Sequence, residues 1–342
     1  MHATWHNRWH PDITPAGVVE PGQTVTLETR DSTDGIINSE STHSDLTRLD
    51  LSRAHQLTGP YYVAGAEPGD LLEVELLEIS TENFGYTAIF PGFGALADLF
   101  PTPYLLKWKI EEGFARSSQL PGVALPKAAF AGVVGVSPSQ ESMASARQQD
   151  QLVRTAGGTV TADQPGGAVP KIGSTGLRTT PPRAFGGNLD IRQLQAGAKL
   201  FLPVQVPGAL LSVGDLHFAQ GDGEVCGSAI ECAGSVSLRV KIVRDARWQP
   251  RMPTFMTPGE PQRPMFATTG TPSEVTGSRP DLTSAVQVAL IEMLDYLCAT
   301  HGFEREAAYG LMSVAVDLRL SEIVNLPNPL VSALLPLDIF AK

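Results

Sequence analysis

The chain has 342 residues, 42% hydrophobic and 18% charged, a balance that excludes a disordered polymer and leaves ample length for a sizeable core. Its 25 basic and 36 acidic side chains give a formal charge of −11, which argues against a nucleic-acid or anionic-membrane surface, because both need basic patches. No apolar run approaches the roughly 18 residues that span a bilayer, and "MHATWHNRWHPDITP" at the N-terminus has no apolar signal core, so a soluble, cytoplasmic protein is expected.

In chain order, "HNRWHP" comes first. His6 and His10 have the four-residue spacing of helical ligands, but Pro11 and Pro15 oppose a helix, so partial burial or a subunit contact is expected. "AGVVEPGQTVTLETRD" and "VAGAEPGDLLEVELLEI" each contain a Pro-Gly turn, at Pro21-Gly22 and Pro68-Gly69. Proline presets φ at the first turn position and glycine supplies positive φ at the next. The turns lead into alternation at Val25, Leu27 and Thr29 and at Leu72, Val74 and Leu76, which predicts two strands, either paired or a weak internal repeat. The polar link between them ends at His55, which taken alone reads as a satisfied structural residue.

Residues 84–110 mix aromatics with glycine and end in a predicted strand. "PGFGAL" lacks a following Lys-Ser/Thr, so no nucleotide site is expected there. Residues 139–183 are rich in Ser, Gln, Gly, Thr and Pro and are expected to cover or line a functional region, with one short helix in "ESMASARQQDQLVRTA". "SAIECAGSVSLRVKIVRDA" predicts one long strand or two. "DLTSAVQVALIEMLDYLCATHG" predicts a helix capped by Asp281, with Ala285, Val288, Ala289, Ile291, Met293 and Leu294 as its apolar face. Gly302 is its expected stop, with His301 beside it as a dipole partner. "EREAAYGLMSVAVDLRLSEI" predicts a second helix. Strands first and a helical pair late give an α+β, β-rich class with a sandwich- or barrel-like β core. The expected organisation is a β-rich part over 1–140, a loop-rich insertion over 141–183, and a β core with C-terminal helices over 184–342, together one composite catalytic unit.

The stretch "GALLSVGDLHFAQGDGEVCGSAIE" places Asp215, His217, Asp222, Glu224 and Glu231 among glycines and apolar residues. Charged groups resist removal from water unless paired or bound to metal, so the stretch is a solvated loop or a site. With a three-residue hairpin loop over Gly221–Gly223, His217 opposes Gly227, Val213 opposes Glu231, and Asp215, His217 and Glu231 share one face; with a two-residue loop Glu231 faces away. Asp-x-His on a strand projects two ligands in parallel about 7 Å apart at their Cα atoms, a minimal unit for Zn2+ or another first-row ion; alone it is a weak signal, since most such pairs are incidental. Cys226, Cys232 and Cys298 form no CxxC pair and read as reduced hydrophobes. No G-x-S-x-G elbow is present.

"GGNLDIRQLQAGAKLFLPVQVPGALLSVGDLHFAQGDGEVCGSAIE" resembles the signature region of the acetamidase/formamidase family. The resemblance extends in order through "HNRWHPDI", "HQLTGPYYVAGAEPGD", "PGFGALADLF", "LRTTPPRAFGGNLD" and "LMSVAVDLRLSEIVN". It implies a hydrolase that cleaves small aliphatic amides to a carboxylate and ammonia, a β-rich fold with added α/β elements, and a bound divalent metal. On that resemblance Asp190, Asp215, His217 and Glu231 are expected to surround the ion, Zn2+ first and Ca2+ as the alternative. Water activated by the metal is the expected nucleophile in the absence of a serine elbow, with Glu224 as general base and His55 or backbone N–H groups as oxyanion donors. Gly187, Asn188, Gly221 and Gly223 are expected beside the substrate, since glycine allows close backbone approach.

Cys226 near Glu224 is a rival nucleophile, disfavoured by its acidic neighbours. Two other readings stand beside the amidase: a non-catalytic protein holding structural Ca2+, and a hydrolase of another C–N bond, such as a cyclic amide or carbamate. A small-molecule amide is the expected partner, and a homo-oligomer the expected assembly.

Overall fold

The strand Thr24–Thr29 buries Val25, Leu27 and Thr29 and turns the intervening residues outward; Leu71–Thr81 does the same with Leu72, Val74, Leu76 and Ile79. This is the period-two pattern of a sheet with one wet face. Each strand is entered through its Pro-Gly turn, with φ of +86° at Gly22 and +96° at Gly69, values that a Cβ resists. The two strands do not pair with each other, because Gly234–Val243 lies between them and is antiparallel to both. These features come from a computed structural model that describes residues 5–158, 160–244, 248–258, 264–272, 281–303, 305, 308, 312 and 315–340.

Among the described residues two large sheets form the body of the protein. The first has eight strands, ordered Asp317–Glu322, Leu330–Pro336, Met265–Gly270, Thr254–Thr257, Lys199–Pro203, Leu71–Thr81, Gly234–Val243 and Thr24–Thr29. The second has twelve, and its central members run Phe84–Ile89, Glu231–Cys232, Leu211–His217, Phe130–Gly135 and Gly186–Asn188. Both sheets draw strands from before residue 140 and after residue 184. Val25, Leu72, Val74 and Leu76 of one sheet join Phe130, Val133, Val213 and Leu216 of the other in a single buried cluster, so apolar burial between the sheets holds them together.

The helix Gln140–Thr155 begins at Ser139, whose hydroxyl accepts the Ser142 N–H, and gives regular structure to the start of the segment expected to be loop-rich. The helix Leu282–His301 has the predicted ends: the Asp281 carboxylate accepts the Ser284 N–H at 3.0 Å, and Gly302 closes it at φ +71°. Its buried ridge is Ala285, Ala289, Met293 and Leu297, packed on Phe266, Val331, Ala333 and Leu335. Ile291, predicted to face the core, is exposed. This helix is long and apolar enough to cross a bilayer by length and composition, but Glu292, buried and paired with Arg251, interrupts its apolar residues. The first half of the second predicted helix falls mostly outside the described residues, though Arg305, Ala308, Met312 and Ala315 are helical. Its second half is instead the strand Asp317–Glu322. Asp317, Leu318, Arg319 and Leu320 alternate with period two, and strand pairing with Leu330–Pro336 follows that pattern.

Candidate active site

The strand Leu211–His217 is buried along its whole length and pairs on one edge with Phe130–Gly135. Along its other edge it changes neighbour. Leu211 and Val213 face Tyr61 and Thr58, whereas Leu216 and His217 face Cys232 and Glu231. Asp215 sits at this fork with φ +56°, a left-handed conformation that costs a non-glycine residue free energy. His55, just before the strand Leu57–Val63, enters the gap and brings Nε2 to 3.7 Å from Asp215 Oδ2.

The tight hairpin expected over Gly221–Gly223 does not form. His217 opposes Glu231 rather than Gly227, and residues 218–230 make a long excursion between the strands. Gly223 bridges to Glu322 and Glu224 adopts φ +45°, so the excursion is drawn to the edge strand of the other sheet instead of folding back. The face-sharing survives this change of register, because directly opposed residues in an antiparallel pair lie on one face. Asp215, His217 and Glu231 converge.

His217 Nε2 lies 3.5 Å from Asp215 Oδ2 and 3.4 Å from Glu231 Oε2, and its Nδ1 lies 3.9 Å from Asp190 Oδ1. Glu231 and Asp190 are each held by one oxygen and leave the other unbonded. Glu231 Oε1 accepts from the Ala229 N–H and Ser228 hydroxyl, and Asp190 Oδ2 accepts from the Asn325 amide. Asp190 Oδ1, Asp215 Oδ1, Glu231 Oε2 and His217 Nε2 are buried without a hydrogen bond among the described residues. Buried polar atoms are rarely left unsatisfied, and four clustered together mark a place able to take an ion or water. Separations of 3.4–3.9 Å are too long for hydrogen bonds, but they suit ligands sharing an ion at bond lengths of about 2.0–2.2 Å. Asp215, His217 and Glu231 form one group able to hold a cation, and Asp190, His217 and Glu224 form a second. Gly132 makes the room: a Cβ there would lie 2.6 Å from Asp190 Oδ1, 2.9 Å from His217 Cε1 and 3.0 Å from Asp215 Oδ2.

The electrostatics carry the same tension. Burial alone disfavours the imidazolium of His217, but Glu231 and Asp215 outweigh it and raise its pKa well above the ordinary value. Burial also opposes ionisation of Asp215, yet His55 and His217 together hold that carboxyl well below the usual range. Asp190 and Glu224 are pushed well up, first by burial and then by neighbouring carboxylates. Too many acids share too little positive charge, and a divalent cation would offset the excess.

Support comes from residues the sequence reading did not single out. Gln220 Oε1 lies 2.9 Å from His217 Nδ1, while its Nε2 donates to the Asp190 carbonyl at 2.8 Å. With the amide so oriented, Nδ1 is the donor and Nε2 keeps its lone pair for the cluster. Glu322 is fully buried; its Oε2 accepts the Val324 and Asn325 N–H groups, which fixes the loop that delivers Asn325 to Asp190. Burial pushes its carboxyl up to about 8 against those two donors.

The cluster opens onto a cavity of about 660 Å3 lined by His55, Asn188, Asp215, Glu224 and Glu231, with Phe90, Phe93, Ile323 and Leu326 among its apolar walls. Of the residues expected beside a substrate, Asn188 lines this cavity and Gly187, Gly221 and Gly223 do not. Gly187 instead takes φ +103° within the Gly186–Asn188 strand, and its freedom serves strand geometry.

The model of the Acetamidase/Formamidase family matches residues 1–342. The chain belongs to the acetamidase/formamidase family. It is 33% identical to a formamidase of Methylophilus methylotrophus, over 98% of this chain and 89% of that protein. The crystal structure of an acetamidase from Bacillus halodurans is 30% identical and similar at a TM-score of 0.77, covering 99% and 96% of the two chains. A gamma lactamase from Delftia acidovorans is 35% identical, with a TM-score of 0.72 over 99% and 90%. In this acetamidase/formamidase family member the thiol of Cys226 donates to the Ser228 carbonyl, and burial raises its pKa. His6, the other histidine of "HNRWH" with His10, is wholly structural, bonded to the Arg8 carbonyl and the Ser212 hydroxyl.

Proposed function

We propose that the chain hydrolyses small linear amides, of the formamide and acetamide kind, to a carboxylate and ammonia, with a divalent cation held by Asp215, His217 and Glu231 and neighboured by Asp190. The observation that carries this reading is the set of unbonded lone pairs on those side chains beside a cavity. An imidazole among the carboxylates favours Zn2+ or another first-row ion over Ca2+, which prefers oxygen ligands throughout. When bound, such an ion lowers the pKa of water to about 7 and polarises a carbonyl.

The chain's own groups supply the rest. Glu224 lines the cavity and its pKa is pushed well up, first by burial, which suits a group that takes a proton from the attacking water and gives it to the leaving nitrogen. His55, 3.7 Å from Asp215 through Nε2, is placed to steady the substrate's developing negative oxygen. Asn188 leaves its Oδ1 unbonded beside the cavity, an acceptor for the substrate's N–H. An amide panel from formamide to butyramide, read by ammonia release, tests the reading: turnover of at least one linear amide is expected, and no release from any would overturn it. A cyclic amide is the second reading, favoured by the 35% identity to the Delftia gamma lactamase; ring opening without ammonia release would identify it.

A further inference from the structure

A second cleft, of about 490 Å3, lies between the helices Gln140–Thr155 and Leu282–His301, with Ala146, Phe185, Met252, Val288 and Ile291 as apolar walls. Two buried charged residues belong to its lining, Arg183 and Glu292. Glu292 is satisfied, since its two oxygens accept from the Arg251 side chain and backbone N–H at 2.6 and 3.1 Å. Arg183 is not. It is 4% exposed, its Nη1 and Nη2 reach Gln149 and Asp150 only at 3.3 and 3.4 Å, and its Nε has no hydrogen bond among the described residues.

The only carboxylate near Arg183 in these contacts, Asp150, is committed elsewhere. It takes two bonds from the Arg178 guanidinium, at 2.9 and 3.2 Å. One acid thus stands between two buried guanidiniums, and one positive charge is left over at the edge of the cleft. Burial lowers the Arg183 pKa to about 10 despite Asp150, which still leaves it charged at neutral pH. A buried guanidinium that shares its one carboxylate with a second guanidinium keeps uncompensated charge unless another anion meets it, and a planar carboxylate matches its fork.

We propose that this cleft binds a small aliphatic carboxylate, its charged end on Arg183 and its chain against Phe185, Met252, Val288 and Ile291. Arg183 pairs with Gly186 in the hairpin that also carries Asn188 into the catalytic cavity. The two cavities therefore share one pair of strands, and the ligand belongs to the chemical class that amide hydrolysis releases.

Calorimetric titration of the whole protein with butyrate, and with its neutral isostere pentan-2-one, tests the site. Saturable butyrate binding is expected, weaker by about tenfold or more in Arg183→Met, the loss of a charge-assisted hydrogen bond. Ile291→Trp, placed at an exposed position to fill the cleft, is expected to weaken it as well. Asp150 keeps Arg178 in Arg183→Met, so that variant is expected to melt no earlier than the parent; should it fail to fold, Ile291→Trp decides. No saturable butyrate binding, equal binding of pentan-2-one, or unchanged binding in either folded variant would overturn the proposal.

Discussion

His217 and Glu231 are direct cross-strand partners, and their facing atoms, Nε2 and Oε2, stand 3.4 Å apart without a hydrogen bond. Their other polar atoms are fixed by protein donors and acceptors, Nδ1 by Gln220 and Oε1 by Ala229 and Ser228. The pair is therefore oriented toward a point that neither residue occupies. Asp215 completes that point only because its strand forks there.

Room at that point depends on Gly132. Its backbone is one that any residue adopts, so Gly132→Ala is expected to fold, but the added Cβ meets three site residues within 3.0 Å. A fall in kcat/KM of roughly 10²-fold is expected, the scale of an ångström-sized displacement at reacting groups, with the circular dichroism unchanged. Parental activity in a folded variant would contradict the geometry.

Gln220 acts through His217. Gln220→Leu removes the acceptor at Nδ1 and the donor to the Asp190 carbonyl, and a 10–100-fold loss in metal affinity or activity is expected, as for other groups that orient a metal-binding histidine (about that range). Metal titration of the variant by calorimetry checks it.

Much of the site was legible because its parts lie close in the chain. Asp215, His217 and Glu231 were expected on one face, and they meet, although the hairpin that suggested it has a different register. Asp190 and Glu224, singled out through the family resemblance, lie close to His217 in the same cluster. Gly132, Gln220 and Glu322 were not foreseen. Gly132 reads as one more small residue in an apolar strand, and only its crossing of Leu211–His217 shows what it makes room for. Glu322 ends "DLRLSE", which alternates as a strand although a helix is expected over that stretch; it is fully buried and bridges to Gly223. The two-sheet class was readable from Pro-Gly turns and period-two runs, whereas the intercalation of Gly234–Val243 between the two early strands is a long-range pairing that no local pattern encodes.

Cys226 offers a direct contrast between nucleophiles. Burial raises its thiol pKa, with Glu231 adding to the effect, so little thiolate is present at neutral pH. Cys226→Ser is expected to retain most of the amidase activity, and abolished turnover in the folded variant would point to a thiol mechanism.

His6 makes folding sensitive to acid. Burial outweighs the bond to the Arg8 carbonyl and lowers its pKa to about 4 from 6.5. Between those values the unfolded chain binds a proton that the folded chain lacks. Stability is therefore complete above about pH 6.5 and falls as pH drops toward 4, by about 3 kcal/mol in all. The melting temperature of His6→Gln is expected to fall less than the parent's across that window; equal slopes would contradict the assignment.

The central claim is that a divalent cation at Asp215, His217 and Glu231 makes this chain an amidase. Elemental analysis paired with ammonia-release kinetics, before and after chelation and again after adding Zn2+, tests it most directly. The account predicts near one equivalent of metal per chain, loss of turnover on stripping, and its return with the ion. Full turnover by protein shown to be metal-free would contradict it.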